Sequence, residues 1–381
     1  MASRLTDESL YARRTQRLDA VGIAMTIAAL SVYARRIGNL TGDESETDLA
    51  TYEAQDAGKV EQTFARGLAL TAAVVASMWG TIPRDVDSWA APARQAKGIT
   101  TLTIDNPFTA NAIKVAEREV RKSTASIINI TVAKLQTTDR RLVPMGDAYH
   151  DAIRKAVASM RSGSATSEQA ISEAVRTFSR SGLKVVYKSG ATRDLYSAVS
   201  MNVMDSYRAS VAQAQADVAA DFGADGVEVS AHSHCSEDHV HYQGKQFDNK
   251  EWNHIQGSLS RPIAKGYNCR HTVTPILLGV MEPAYTAAQR KKMLDDSRRD
   301  TGFSPVKGGD TLNDYQFTQW QRRQETSIRK LRAEANILGN AGVDAADVRA
   351  HADKLVDRYT AASKAAKVPT RVERYSIYDV L

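Results

Sequence analysis

The sequence predicts a mainly α-helical protein with one small α+β module. Alanine-rich segments carry apolar residues at three-to-four spacing, aromatic residues make up only 7% of the chain, and short alternating segments occur in one central stretch. At roughly 100–200 residues per domain, the 381 residues suggest two or three domains. We predict a helical N-terminal region 1–182, an α+β module 183–281 and a helical hairpin 282–381.

The N-terminal region is predicted to be built from apolar helices. Helical spacing of apolar side chains places them at Asp19–Ala34, Glu61–Met78, Ala110–Leu135 and Ala148–Met160. Thr81–Thr101 contains Pro83, Pro92 and Gly98. Because proline and glycine interrupt helices, we expect that stretch to be irregular.

The centre of the chain alternates helix and strand. Thr166 followed by Gln169 forms a capping-box pattern, which predicts a helix that ends near Gly182. Leu183–Tyr187 is expected to be a short strand, and Thr192–Phe222 a long helix. The module continues with strands at Gly226–Ala231 and His271–Leu278 and a turn at Tyr242–Phe247.

The C-terminal region is predicted to be helical and charged. After a helix at Thr286–Arg299, the segments Gln316–Leu338 and Asp344–Lys367 form two amphipathic helices joined by Gly339–Val343. Such a short connection indicates an antiparallel hairpin. Its first helix holds a basic cluster that either faces DNA or an acidic protein or forms a solvated face: Arg322, Arg323, Arg329, Lys330 and Arg332.

Composition limits the class of protein. The formal net charge is +6, which permits a polyanionic partner without requiring one. Two cysteines are too few for a disulfide framework. The longest apolar runs, Val21–Ala34 and Leu68–Trp79, are shorter than the roughly 20 residues that cross a bilayer, so we expect a soluble protein with no membrane partner.

Metal-capable side chains are concentrated in the module. The stretch HSHCSEDHVHYQGKQF begins at His232 and contains four of the eight histidines and Cys235, and the second cysteine, Cys269, follows in GYNCRH. Two cysteines and two histidines would complete a tetrahedral zinc site, whose candidate ligands are Cys235, His239, Cys269 and His271. A structural Zn²⁺ would stabilise a module too small for its own core.

Two other interpretations stay open at this point. A metal-dependent nuclease would use His239 or His241 as a base beside Asp238, with candidate companions at Asp248, Asn249, Asn253 and His254. Alternatively, the cluster binds nothing: the histidines cap turns, Cys269 is a buried thiol, and Arg270 pairs with Asp238 or Glu237.

Three motifs follow one another in the chain: GVEVSAH from Gly226, DHVHYQGKQF from Asp238 and GYNCRHTVTP from Gly266. Their order and spacing resemble the pattern of the phage minor capsid 2 proteins, which are related to MuF-like head morphogenesis proteins. The likeness runs from about Thr192 to the C-terminus, and AAQRKK and KVPTRVERYSIY agree with it. The matching positions, taken with His232 as the structural motif, are His239, Gln243, Gly244, Asn268, Cys269, Arg270 and His271. Cys235, His234 and His241 have no counterpart, so the resemblance adds nothing to the zinc hypothesis.

The resemblance implies a structural protein of the virion head and no enzymatic activity. It implies a place at the portal vertex, after assembly in the host cytoplasm, with the portal protein, the major capsid protein and packaged double-stranded DNA as partners. The N-terminal region would then dock onto the portal or shell. The motif would be a folding signature, in which Gly244 supplies a left-handed turn while Asn268 and Arg270 hold a loop. A metal-dependent nuclease or toxin-like effector is the alternative.

Overall fold

The computed structural model describes residues 8–102, 106–129, 133–136, 141–180, 182–264, 269 and 271–377. The described residues are mainly α-helical, as predicted. The helices are α1 Glu8–Gly38, α2 Glu46–Trp79, α3 Ile82–Lys97, α4 Pro107–Ile127, α5 Met145–Arg161, α6 Ser167–Ser179, α7 Leu195–Phe222, α8 Asn249–Ser258, α9 Ala287–Arg298, α10 Asp314–Asn340 and α11 Ala346–Ala366. The strands are β1 Lys134–Gln136, β2 Leu142–Pro144, β3 Lys184–Val186, β4 Thr192–Asp194, β5 Gly226–Val229, β6 Gln246–Asp248 and β7 Val273–Ile276.

Helix α3 corrects the prediction of an irregular stretch. Pro83 lies in its first turn, where a missing N–H is tolerated because those amides have no intrahelical partner. Pro92 lies inside the helix. Burial of apolar side chains such as Val86 and Trp89 in one core with α7 compensates for the lost hydrogen bond. The helix ends at Gly98, whose φ of 69° is left-handed.

A four-stranded antiparallel sheet corrects two helix predictions. It has the order β2-β1-β3-β4. The helix predicted to reach Leu135 ends at Ile127, and Leu135 lies in β1; Thr192 is in β4, so α7 begins only at Leu195. The pair β1–β3 joins residues on both sides of the predicted boundary at 182. The division into three domains stays a prediction.

A second, three-stranded antiparallel sheet lies in the predicted module. Its order is β6-β5-β7, so β5 is the central strand and all four of its residues are buried. Phe247 and Trp252 stack with ring centroids 5.9 Å apart and cover one face together with Val227 and Val229. This sheet and α8 carry the segments that contain the histidines and cysteines.

The predicted C-terminal hairpin is confirmed as α10 and α11. Its own core contains Phe317, Trp320 and Tyr359. The C-terminal part of α10 also enters the core of the N-terminal helices, where Leu338 belongs to the same cluster as Leu30 of α1. Helices α1 and α10 therefore share one hydrophobic core.

Two helical stretches, Arg13–Gly38 and Glu46–Lys97, are long and apolar enough to cross a membrane. Both stretches are longer than the apolar runs in the sequence because the helices continue beyond those runs, and the expectation of no membrane partner stays a prediction. In the first stretch 67% of the most apolar window is buried inside the protein, and in the second 33% is. Core helices of globular proteins meet the same criterion, so length and composition are weak grounds for a membrane contact.

A glycine sets the separation of α1 and α7. A Cβ on Gly22 would lie 2.7 Å from the Cα of Tyr196, closer than two carbon atoms can pack. Gly22→Ala is expected to lower the free energy of unfolding by about 1–3 kcal/mol, because the helices must move apart. Gly58→Ala is the matched control, since no atom lies within 4 Å of its Cβ position in α2. It should raise stability by about 0.4–1 kcal/mol. Urea denaturation followed by circular dichroism measures both, and a stabilising Gly22→Ala would contradict the close contact.

Candidate metal centre

The three-stranded sheet brings His232 and His271 together. His232 follows β5 and His271 precedes β7, and these strands are antiparallel neighbours. Beyond the strands, the N–H of Ser230 donates to the carbonyl of Thr272 at 2.9 Å, and the N–H of Thr272 donates to the Ser230 hydroxyl at 2.8 Å. The two imidazole rings therefore lie with their centroids 4.5 Å apart.

Gln243 and Gly244 close the loop that follows β5. The Oε1 of Gln243 accepts from the N–H of His232 at 3.1 Å, and the N–H of Gly244 donates to the carbonyl of Val229 at 2.8 Å. Gly244 has a φ of 69°, the left-handed conformation expected of it. A Cβ there would lie 3.2 Å from the Cβ of Ala231. The loop is thus held in the shape that turns His239 back toward the sheet.

Five side chains form one His/Cys cluster: His232, Cys235, His239, Cys269 and His271. The Sγ of Cys269 lies 3.6 Å from Nδ1 of His239 and 3.5 Å from Nδ1 of His271. The Sγ of Cys235 lies 3.5 Å from Nε2 of His271. The cluster therefore divides into two groups of three that share His271: one with His239 and Cys269, the other with His232 and Cys235.

This division bears on the predicted four-ligand zinc set. All four predicted residues are in the cluster, but Cys235 and Cys269 contact opposite nitrogens of the His271 ring. The lone pairs of the two ring nitrogens point in different directions, so one ion bound to either nitrogen faces one thiol and not the other. The predicted set is brought together without the geometry of a single four-ligand site.

Arg261 holds the outer side of the cluster and was missed by the sequence analysis. Its carbonyl oxygen accepts from Nε2 of His239 at 2.7 Å. Its guanidinium donates to both carboxylate oxygens of Asp238, at 2.8 and 3.0 Å. An arginine outside the motifs gives no sequence signal for this role, because its contact with His239 is made by the backbone.

Burial shifts the pKa values of His271 and Cys235 toward their neutral forms. It lowers the pKa of His271 to about 2, with further lowering from the charges of His232 and His239. It raises the pKa of Cys235 to about 12, helped by Cys269. The imidazole of His271 is therefore in the neutral form that binds metals, and Cys235 is a thiol. Both cysteines are free.

The residues predicted for a nuclease do not converge. The carboxylate of Asp238 is occupied by Arg261, while His241 is exposed and lies 2.9 Å from a guanidinium nitrogen of Arg298. Asp248 caps α8 by accepting from the N–H of Glu251 at 2.8 Å. The remaining candidates are Asn249, Asn253 and His254, which are exposed in α8.

Four other predicted residues have different outcomes. Asn268 and Arg270 lie outside the described residues, and Glu237 pairs with Arg298. His234 has a left-handed φ of 62°, and its Nδ1 lies 2.7 Å from a carboxylate oxygen of Asp314 in α10. That histidine therefore connects the module to the hairpin rather than to the cluster.

The basic cluster of α10 is largely used inside the protein. Arg329 donates to the hydroxyl of Tyr196 at 2.6 Å, and Lys330 lies 3.4 Å from a carboxylate oxygen of Asp194. Arg332 lies over the ring of Tyr375. Three of the five basic side chains thus hold the hairpin to neighbouring segments, which favours neither a DNA-binding face nor a purely solvated one.

Comparison with known proteins supports the resemblance seen in the motifs. A family model described as phage minor capsid protein 2 matches residues 102–361. No curated protein and no solved structure gives a significant match. The matched segment is more than half of the chain and holds α4–α10, both sheets and all five cluster residues. The buried His/Cys cluster and the pairing of nearby carboxylates with arginines agree with a structural role. The chain belongs to the phage minor capsid protein 2 family.

Proposed function

We propose that the chain is a portal-associated component of the phage head that acts in head assembly or in DNA packaging and ejection. The family match over residues 102–361 carries this proposal. The portal vertex is its proposed place in the virion, and the host cytoplasm is its location during assembly. The proposal excludes a catalytic role.

The pairing of Asp238 and the burial of His239 support a structural role. A metal-dependent nuclease needs carboxylates that are free to hold a divalent ion next to substrate. Asp238, which lies 3.6 Å from Nε2 of His239, instead makes two hydrogen bonds to Arg261. His239 is 1% exposed, too little for an incoming phosphodiester to reach it.

The proposed partners are the portal protein and the major capsid protein, with packaged double-stranded DNA as a third. The N-terminal region 1–182 is the proposed docking surface for the portal or shell. A net charge of +6 permits DNA nearby by long-range attraction. Because most of the basic cluster in α10 is engaged internally, we propose that protein contacts, rather than DNA contacts, hold the chain in the particle.

The test is quantitative mass spectrometry of gradient-purified phage particles from an induced host. We expect this protein at a fixed ratio to the portal protein and far below the major capsid protein. Washing the particles in high salt should leave that ratio unchanged, because contacts to DNA phosphates weaken steeply with salt whereas apolar protein contacts do not.

Absence from washed particles, with the protein free in the lysate, would contradict the proposal. The nuclease alternative would then be tested with DNA or RNA in the presence of divalent ions. Cleavage that requires the metal and is lost in His239→Ala and His241→Ala would establish that alternative.

A further inference from the structure

We propose that His239, Cys269 and His271 form a Zn²⁺ site, with Nδ1, Sγ and Nδ1 as the ligand atoms. This site is independent of the role in the particle. It differs from the four-ligand set predicted from the sequence, because Cys235 is assigned to support the site without touching the ion. Chemically the set suits zinc, which prefers thiolate and imidazole ligands.

The distances between ligand atoms fit a tetrahedral ion. With Zn–S of about 2.3 Å and Zn–N of about 2.0–2.1 Å, sulfur and nitrogen ligands of one zinc ion lie about 3.6 Å apart. Cys269 Sγ is 3.6 Å from Nδ1 of His239 and 3.5 Å from Nδ1 of His271. Both sulfur–nitrogen distances therefore already match those around a zinc ion.

The contact of His239 with the backbone fixes which of its nitrogens faces the cluster. A carbonyl oxygen cannot donate, so the 2.7 Å contact with the carbonyl of Arg261 places a proton on Nε2. Nδ1 of the neutral ring then carries a lone pair directed at Cys269. Zinc-bound histidines commonly donate their other N–H to a backbone carbonyl in this way.

The contact of His271 with Cys235 fixes which of its ring nitrogens carries the proton. The thiol of Cys235 donates to the carbonyl of Ser236 at 3.3 Å, so its Sγ acts as an acceptor toward Nε2 of His271 at 3.5 Å. Nε2 therefore carries the proton of the neutral ring, and Nδ1 presents its lone pair to Cys269. Cys235 is thus a positioning residue.

The two lone pairs meet at one sulfur. A thiol has one proton and can donate it to His239 or to His271, but not to both. The sulfur also accepts from the N–H of Ala264 at 3.3 Å, a contact that stabilises a thiolate. Replacing the thiol proton by Zn²⁺ satisfies both histidines and the sulfur together. The rings of His239 and His271 are buried and shield the ion from bulk solvent.

The experiment is zinc analysis of the full chain with variants that separate the two cysteines. Purified protein is loaded with Zn²⁺, dialysed against metal-free buffer and analysed by mass spectrometry for bound metal. We expect about one equivalent in the wild type and none in Cys269→Ser. Cys235→Ser keeps an acceptor for His271, so its zinc affinity should stay within about tenfold of the wild type.

Cobalt binding provides a second readout, which reports how many thiolates bind the ion. Co²⁺ at the site should give the charge-transfer absorption of a single thiolate, and Cys235→Ser should leave that band unchanged. A charge-transfer band with the intensity of two thiolates would overturn the assignment in favour of a site containing Cys235. The same conclusion would follow if Cys235→Ser lost as much zinc as Cys269→Ser. A folded wild type that retains no zinc would overturn the site altogether.

Discussion

Replacing Asp56 with alanine is expected to lower the free energy of unfolding by about 3 kcal/mol, near the lower end of the range for breaking a buried charged pair. The carboxylate is 2% exposed and accepts from Arg36 at 2.9 Å, Lys59 at 3.1 Å and the hydroxyl of Tyr149 at 2.8 Å. Without it, the Tyr149 hydroxyl and one face of Arg36 lose their partner in the core. The loss stays near the lower end because the Arg36 side chain is 22% exposed and recovers some hydration.

The control and the pH dependence test the charge of Asp56 itself. Glu61→Ala removes an exposed carboxylate from the same helix and should change stability by less than about 0.5 kcal/mol. Burial acts to raise the pKa of Asp56, but hydrogen bonds from Arg36, Tyr149 and Lys59 outweigh it and the pKa is lowered. The ionised group therefore stabilises the fold above the unfolded-state pKa of about 3.9 and stops doing so as pH falls through the lower folded-state value. Urea denaturation at several pH values should show the wild type and Asp56→Ala converging in acid; a gap that widens there would refute the account.

Trp320→Ala is expected to lower the free energy of unfolding by about 3–5 kcal/mol. The indole is 3% exposed and lies among aromatic rings of the hairpin, with centroids 4.8 Å from Phe303, 5.3 Å from Phe317 and 6.4 Å from Tyr359. Alanine would leave a cavity that three rigid rings cannot close. The measurement is the urea midpoint by circular dichroism, with limited proteolysis to locate the loosened segment in α10 and α11.

Phe108→Ala is the comparison for this prediction. Phe108 is 85% exposed at the start of α4, so its truncation removes little contact and should change stability by less than about 0.5 kcal/mol. Equal effects of the two substitutions would show that the aromatic cluster does not stabilise the hairpin.

The parts of the fold that were predicted correctly have local causes. The capping box of α6 is confirmed, with Thr166 and Gln169 each bonded to the other's backbone N–H. The C-terminal hairpin is confirmed because its apolar spacing is long and regular. Strands β1 and β2 are three residues each, too short for an alternating pattern, and are held by pairing with distant segments. Helix α3 was missed because packing against α7, which is not local, outweighs its two prolines.

The candidate site was predicted in its residues but not in its geometry. Histidine and cysteine are conspicuous in a sequence, so the cluster could be located before the structure was known. Which nitrogen of His239 and His271 faces Cys269 depends on the carbonyl oxygens of Arg261 and Ser236. Every residue has a carbonyl group, so these contacts leave no mark in the sequence. The role of Cys235 could therefore not be separated from that of Cys269.

The core shared by α1 and α10 has a consequence for synthesis of the protein on the ribosome. Buried α1 residues such as Leu30 and Ile37 share that core with Leu338, which is translated after most of the chain. At about 5–20 residues per second, the apolar face of α1 waits on the order of tens of seconds for α10. During that interval a nascent chain exposes a surface that chaperones bind. The yield of folded protein should therefore depend on chaperone supply more than on the translation rate.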